Sequence, residues 1–190
     1  MNLAKELAGP AEQMAVRLLG CLFIRELDGQ QLVGRIVETE AYDQHDAASH
    51  SYKGQTPRTD VMFGPAGHLY VYFTYGMHYC CNIVTGPVGH GSAVLIRALE
   101  PLEGLDLMKT NRSGRGGEAL TNGPAKLCQA FAINKTMNGH DLQTAPLQLV
   151  MEPPLAPDNI VQTTRIGISR AADVPWRFYV KDNPFVSKLA

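Results

Sequence analysis

Asp28-Gly29, set between two runs of strand-forming residues, is the strongest local constraint on what this chain can fold into. A two-residue Asp-Gly link favours a hairpin, because both central residues of that turn need positive φ. Cys21 to Leu27 and Gln31 to Ala41 are therefore expected to lie side by side, antiparallel. Further runs repeat the pattern. His68 to Phe73 and His78 to Val84 flank Thr74-Tyr75-Gly76-Met77, which predicts a second hairpin with Tyr75 near its tip. After a turn at Gly86 to Gly91, Ala93 to Glu100 is another expected strand. Short strands are expected at Leu147 to Val150, Thr164 to Ile168 and Arg177 to Val180.

Helices are fewer. Pro10 to Leu19 is bracketed by a proline at its start and Gly20 past its end. Pro101 is expected to end a strand and open a helix to about Thr110. Asn111 to Gly117 reads as a Gly- and Arg-rich connection. Gly123-Pro124 precedes a helix to about Ile133. Hairpins outnumber βαβ units, so the predicted class is α+β with a largely antiparallel sheet. At 190 residues one domain, 1–190, is the expectation.

Composition excludes several classes. Hydrophobic residues at 45 % argue against disorder. No apolar run approaches the roughly 20 residues of a membrane helix, and Met1 to Pro10 lacks the pattern of a signal peptide. A cytoplasmic setting is expected. Cys21, Cys80, Cys81 and Cys128 include no Cys-x-x-Cys, so buried free thiols are expected. The net charge of −1 gives no sign of a polyanion partner. Any nucleic-acid contact must use a local basic face, and Lys109, Arg112, Arg115, Lys126 and Lys135 stand against Glu118 alone between Leu107 and Gly139.

The chemistry-bearing residues are concentrated. Strand alternation puts Ile36, Glu38, Glu40 and Tyr42 on one face. By pattern alone a solvated strand end with surface glutamates is the better reading, and alternation does not choose between Glu38 and Glu40. Tyr70 and Tyr72 share a face, and an aromatic core strand accounts for them. Tyr75 at a turn tip fits a core less well, because exposed aromatics stack on bases or wedge between them. Arg97 lies inside an apolar strand, where it needs a partner; an ion pair, a phosphate contact and a cleft role all fit. Asn82 reads equally as a ligand contact or a structural amide. The long polar stretch 42–67 is expected to be functional. Its His45, Asp46 and His50 have metal-ligand chemistry, but the spacing matches no helical His-Glu-x-x-His arrangement, and metal catalysis is not expected. No phosphate-binding glycine loop and no nucleophile elbow is present.

Longer segments resemble the alkyladenine (3-methyladenine) DNA glycosylases. They are Gly34-Arg-Ile-Val-Glu-Thr-Glu-Ala-Tyr42, Gln55-Thr-Pro-Arg58, Leu69-Tyr-Val-Tyr72, Tyr75-Gly-Met77 and Leu95-Ile-Arg-Ala-Leu-Glu-Pro101. Gly123-Pro-Ala-Lys-Leu-Cys-Gln-Ala130, Ala132-Ile-Asn-Lys135 and Arg177-Phe-Tyr-Val180 continue the likeness in order. The resemblance implies a mixed domain with a curved sheet, no cofactor and no metal. It implies excision of flipped-out alkylated or deaminated purines from double-stranded DNA by a bacterial, nucleoid-associated monomer with no obligate protein partner. Glu40 resembles the water-activating carboxylate, with Arg97 beside the water. Tyr42, His50, Tyr72, Asn82 and Leu95 resemble the pocket lining. Tyr75 resembles the wedge that fills the duplex gap, with Met77, Arg58 and Lys126 as DNA contacts. The segment from Tyr42 to His50 is one residue shorter than in eukaryotic members, Thr59 replaces a common asparagine, and a long N-terminal tail is absent. Lys53 and Lys126 lie in no pattern suited to a Schiff base, so a monofunctional hydrolase is expected. The rivals are a non-catalytic module for distorted duplexes and a metal-dependent hydrolase.

Overall fold

Asp28 and Gly29 take φ of 50° and 73° in the computed structural model, which describes residues 2–74 and 76–189. Leu27 pairs directly with Gln30 across them, as the primed turns of two-residue hairpins require. The turn joins β1 (Leu22–Leu27) to β2 (Gln30–Tyr42). Among the described residues, eight strands form one antiparallel sheet, flanked by four α-helices. The remaining strands are β3 (Leu69–Thr74), β4 (His78–Val84), β5 (Ala93–Glu103), β6 (Leu147–Val150), β7 (Ile160–Thr163) and β8 (Arg177–Val180). The order runs β3-β4-β5-β2-β1-β6, and the β7–β8 hairpin joins through β8 to β2.

β2 is the spine. β5 follows one edge of it from Val33 to Tyr42. The other edge is shared: β1 takes Gln30 to Arg35 and β8 takes Glu38 to Glu40. Helix α1 (Leu3–Glu6) precedes α2 (Ala11–Arg17). The Thr39 hydroxyl donates to the Ala15 carbonyl of α2, 2.9 Å away, so the residues of opposite parity, Glu38 and Glu40, point away from that helix. α3 (Leu105–Asn111) and α4 (Pro124–Ala130) pack together, and α4 also packs on β4. The main core joins Leu18, Phe23, Ile36, Ile96, Leu99 and Phe131, all fully buried. A Cβ at Gly34 would lie 2.9 Å from the Phe131 ring and 3.1 Å from Leu99, so only glycine lets the two halves of the core meet here.

Three expectations change. β5 does not end at Pro101 but continues to Glu103, and α3 starts later, at Leu105. Pro101 sits opposite Gly34 at a register shift, where a missing N–H disturbs the ladder least. Residues 164–168 are not a strand; β7 lies earlier, at Ile160–Thr163. Their alternating isoleucines serve the site instead. Finally, Glu38 and Glu40 are fully buried, not solvated, because the segment after β8 covers Glu38 through Ser187 and the loop at Ile166 covers Glu40. The four cysteines are buried free thiols. No helix among the described residues is long and apolar enough to cross a membrane.

Candidate active site

Two compensating irregularities shape the site. Between β2 and β5 the register passes from Ile36↔Leu99 to Glu38↔Ala98 and then to Thr39↔Ile96. Val37 is therefore extra in β2, and Arg97 is extra in β5. Freed from the ladder, Arg97 reaches both acids: its Nε donates to Glu38 Oε1 at 3.0 Å, and its Nη1 lies 3.3 Å from Glu40 Oε1. Burial works against the guanidinium's charge, but Glu40 and Glu38 together outweigh it and raise the Arg97 pKa.

The two glutamates differ in surroundings. Glu38 Oε1 accepts from Arg97 Nε, from Arg177 Nε at 2.7 Å and from the Ser187 hydroxyl at 2.9 Å, while Oε2 accepts the Ser187 N–H at 2.6 Å. Glu38 thus carries four donors, about as many as a carboxylate has lone-pair positions, and is turned away from the cavity toward the arginines and Ser187. Glu40 Oε1 accepts the Ile166 N–H at 2.7 Å and faces Arg97, and among the described residues its Oε2 accepts only the Tyr42 hydroxyl, at 2.8 Å. One acceptor position on Oε2 is left unused. Glu40 lines the cavity, and Glu38 does not.

That cavity measures about 270 Å³. It brings together Glu40, Tyr42, His50, Arg58, Tyr72, Asn82, Leu95 and Arg97 from β2, the 42–67 segment, β3, β4 and β5. The Tyr70 and Tyr72 rings stack at 5.7 Å, and the His50 ring meets Tyr72 edge-on at 4.6 Å. Asn82 is held by its side-chain amide, which donates to the Tyr70 carbonyl at 3.1 Å. Burial raises the Tyr42 pKa, and the Glu40 charge and hydrogen bond raise it further. Tyr42 is thus a fixed phenol donor. Burial likewise raises that of Tyr72.

Other predicted contacts lie outside. Met77, in the β3–β4 turn, is 70 % exposed, and Lys126 donates to Asn122 at 2.7 Å rather than lining the cavity. Tyr75 falls outside the described residues. Arg58 lies over the Tyr72 ring, 5.8 Å from its centroid. The residues weighed as metal ligands point to different partners. Asp46 forms a buried two-point ion pair with Arg165, the His45 ring lies tilted against His90 at 5.7 Å, and His50 Nδ1 meets the Tyr70 hydroxyl at 3.0 Å. Among the described residues no three His, Cys, Asp or Glu side chains group as ligands.

Sequence reasoning missed Ile166 and Gly167, which line the cavity and place a backbone N–H on Glu40. Gly167, at φ 76°, was the available signal: glycine inside an alternating run argues against a plain strand. Arg165 was missed too, and its guanidinium stacks on Tyr42 at 4.8 Å. Tyr70, read as core, is buried and also lines the cavity.

His50 stands at the exposed rim. Loss of solvent around its ring, and then the nearby Arg58 charge, lower its pKa to about 4. The folded value is below the ordinary 6.5, so the neutral ring's contribution to stability is complete above pH 6.5 and drains away as pH falls toward 4. An NMR titration is expected to place the His50 midpoint near 4; a midpoint near 6.5 would overturn this.

A family model described as Methylpurine-DNA glycosylase (MPG) matches residues 5–184. The chain belongs to this family. Among its relatives, a protein named "Putative 3-methyladenine DNA glycosylase" from Carboxydothermus hydrogenoformans is 54 % identical over 176 residues, 92 % of each chain. Proteins of the same name from Methanoculleus marisnigri and Nitrosospira multiformis are each 52 % identical, over 92 % of both chains in the first and over 82 % of this chain and 79 % of the relative in the second. The family resemblance read from the motifs therefore holds over nearly the whole chain, with Glu40, Tyr42, Tyr72 and Arg97 inside the matched residues.

Proposed function

We propose that the cavity receives a damaged purine flipped from double-stranded DNA and that Glu40 activates the water which cleaves its N-glycosidic bond. Family and relatives make the chain a DNA glycosylase of base-excision repair, a hydrolase of N-glycosyl bonds. One observation carries the finer reading: Glu40 lines the cavity, and among the described residues its Oε2 takes only the Tyr42 hydroxyl, whereas Glu38 carries four donors and does not line the cavity. The target bond is inaccessible within a duplex, so the nucleotide must leave the stack. A 3-methyladenine base is cationic and a good leaving group. Tyr42 and Tyr72 offer it electron-rich faces, and a neutral His50 avoids repelling it. As the bond breaks, positive charge develops on the sugar. Glu40 stabilises that charge and takes the proton of the attacking water, while Arg97 and the Ile166 N–H hold its other oxygen. Among the described residues no lysine lines the cavity, in keeping with a monofunctional enzyme that leaves an abasic site.

The substrate range extends in this reading to 7-methylguanine, hypoxanthine and ethenoadenine. The enzyme acts as a single-domain monomer in the cytoplasm, at the nucleoid, with Tyr75, Met77, Arg58 and Lys126 on the DNA. Duplexes each bearing one of these lesions are the test. Release of free base from 3-methyladenine DNA, undiminished in EDTA and without a borohydride-trapped adduct, is expected. Binding without base release would favour the non-catalytic rival, and loss in EDTA the metal-dependent one.

A further inference from the structure

Arg97 is shared three ways. Nε serves Glu38 and Nη1 faces Glu40, while Nη2 donates to the Ser187 hydroxyl at 3.4 Å. Ser187 lies past the residues matched by the family model, in the segment that follows β8. That segment is held to the back of the site. The Ser187 N–H and hydroxyl both donate to Glu38, and Arg177, whose Nε also binds Glu38, donates to the Lys188 carbonyl. Val186 beside it is buried. The Ser187 oxygen thus donates once, to Glu38, and accepts once, from Arg97. A hydroxyl supplies both roles; a methyl supplies neither.

We propose that Ser187 is a positioning residue which, with Glu38, holds the Arg97 guanidinium side-on so that only Nη1 faces Glu40. A guanidinium favours two parallel bonds to one carboxylate. Without the Ser187 hydroxyl, Nη2 loses its acceptor, and the fork is free to turn fully onto Glu40. Doing so takes up Oε2, the oxygen with the unused acceptor position, and with it the place for the attacking water. The base-binding walls are untouched, because Ser187 does not line the cavity. The effect therefore falls on the chemical step and not on DNA affinity.

This inference rests on the assignment of Glu40 as the activating carboxylate, and the experiment separates the two. Single-turnover excision of 3-methyladenine and the Kd for the same duplex are measured for the parent, Ser187→Ala, Ser187→Thr and Glu40→Gln. Ser187→Ala is expected to lower the excision rate five- to tenfold with Kd within twofold of the parent, and Ser187→Thr to restore the rate. A parent-like rate for Ser187→Ala, a loss residing in Kd, or equal loss in the threonine variant overturns the positioning role. A parent-like rate for Glu40→Gln overturns the assignment beneath it instead.

Discussion

Glu40→Gln is expected to abolish excision, by at least about 10³-fold, given the roughly 10²–10⁴ of a general base together with the electrostatic stabilisation a positioned carboxylate adds. The fold is expected to survive, because the amide retains the carboxylate's shape. Its oxygen still accepts from the Ile166 N–H, now 2.7 Å from Oε1, and the Tyr42 hydroxyl turns from donor to acceptor. Binding to lesion-bearing duplex stays within a few-fold of the parent, since the tyrosine walls and outer cations are unchanged. Glu38→Gln gives the contrasting pattern. Glu38 binds two arginines while fully buried, and removing one charge from a buried network costs about 3–5 kcal/mol. That variant is expected to show its main defect in thermal unfolding. Near-parent excision by Glu40→Gln alongside complete loss in folded Glu38→Gln would falsify the assignment.

Parity along β2 put Glu38 and Glu40 on one face and could go no further. What separates them is the company each keeps, and that company arrives from remote sequence. Arg177 and Ser187 occupy Glu38 from more than a hundred residues away, and Ile166 reaches Glu40 from a segment whose alternation mimics a strand. Arg97 was conspicuous as a charge in an apolar run, yet its aim depends on paired bulges in two strands, which leave no mark in either run alone. The Asp28-Gly29 hairpin and the strands at Leu147–Val150 and Arg177–Val180 were legible because turn chemistry, apolar alternation and aromatic runs act locally. Pro101 misled for the same reason: a local rule ends a strand at proline, and a register shift opposite Gly34 suspends the rule. The family resemblance supplied what no local pattern carried, the choice of Glu40 over Glu38.

Arg165→Ala is expected to be the most destabilising single change at the cavity. The Arg165 side chain is buried and forms a two-point ion pair with Asp46, with one bond of 3.0 Å. It also donates to the Ala41 and Ala171 carbonyls, at 2.9 and 3.2 Å, and stacks on Tyr42 and Trp176. Alanine strands the Asp46 carboxylate and empties the space behind Tyr42. Breaking one side of a buried pair costs about 3–5 kcal/mol. With roughly 2–4 °C per kcal/mol for a chain of this size, that lowers Tm by about 6–20 °C. Activity suffers separately, because the residue after Arg165 gives Glu40 its backbone N–H. The double variant Arg165→Met, Asp46→Leu divides these effects. Replacing a buried ion pair by apolar side chains is often neutral for stability, so most of the lost Tm is expected to return. The excision rate is not, since neither new side chain anchors the loop to Ala41 or braces the Tyr42 ring. If excision returned in step with Tm, Arg165 would be a stabilising residue with no bearing on the geometry of Glu40.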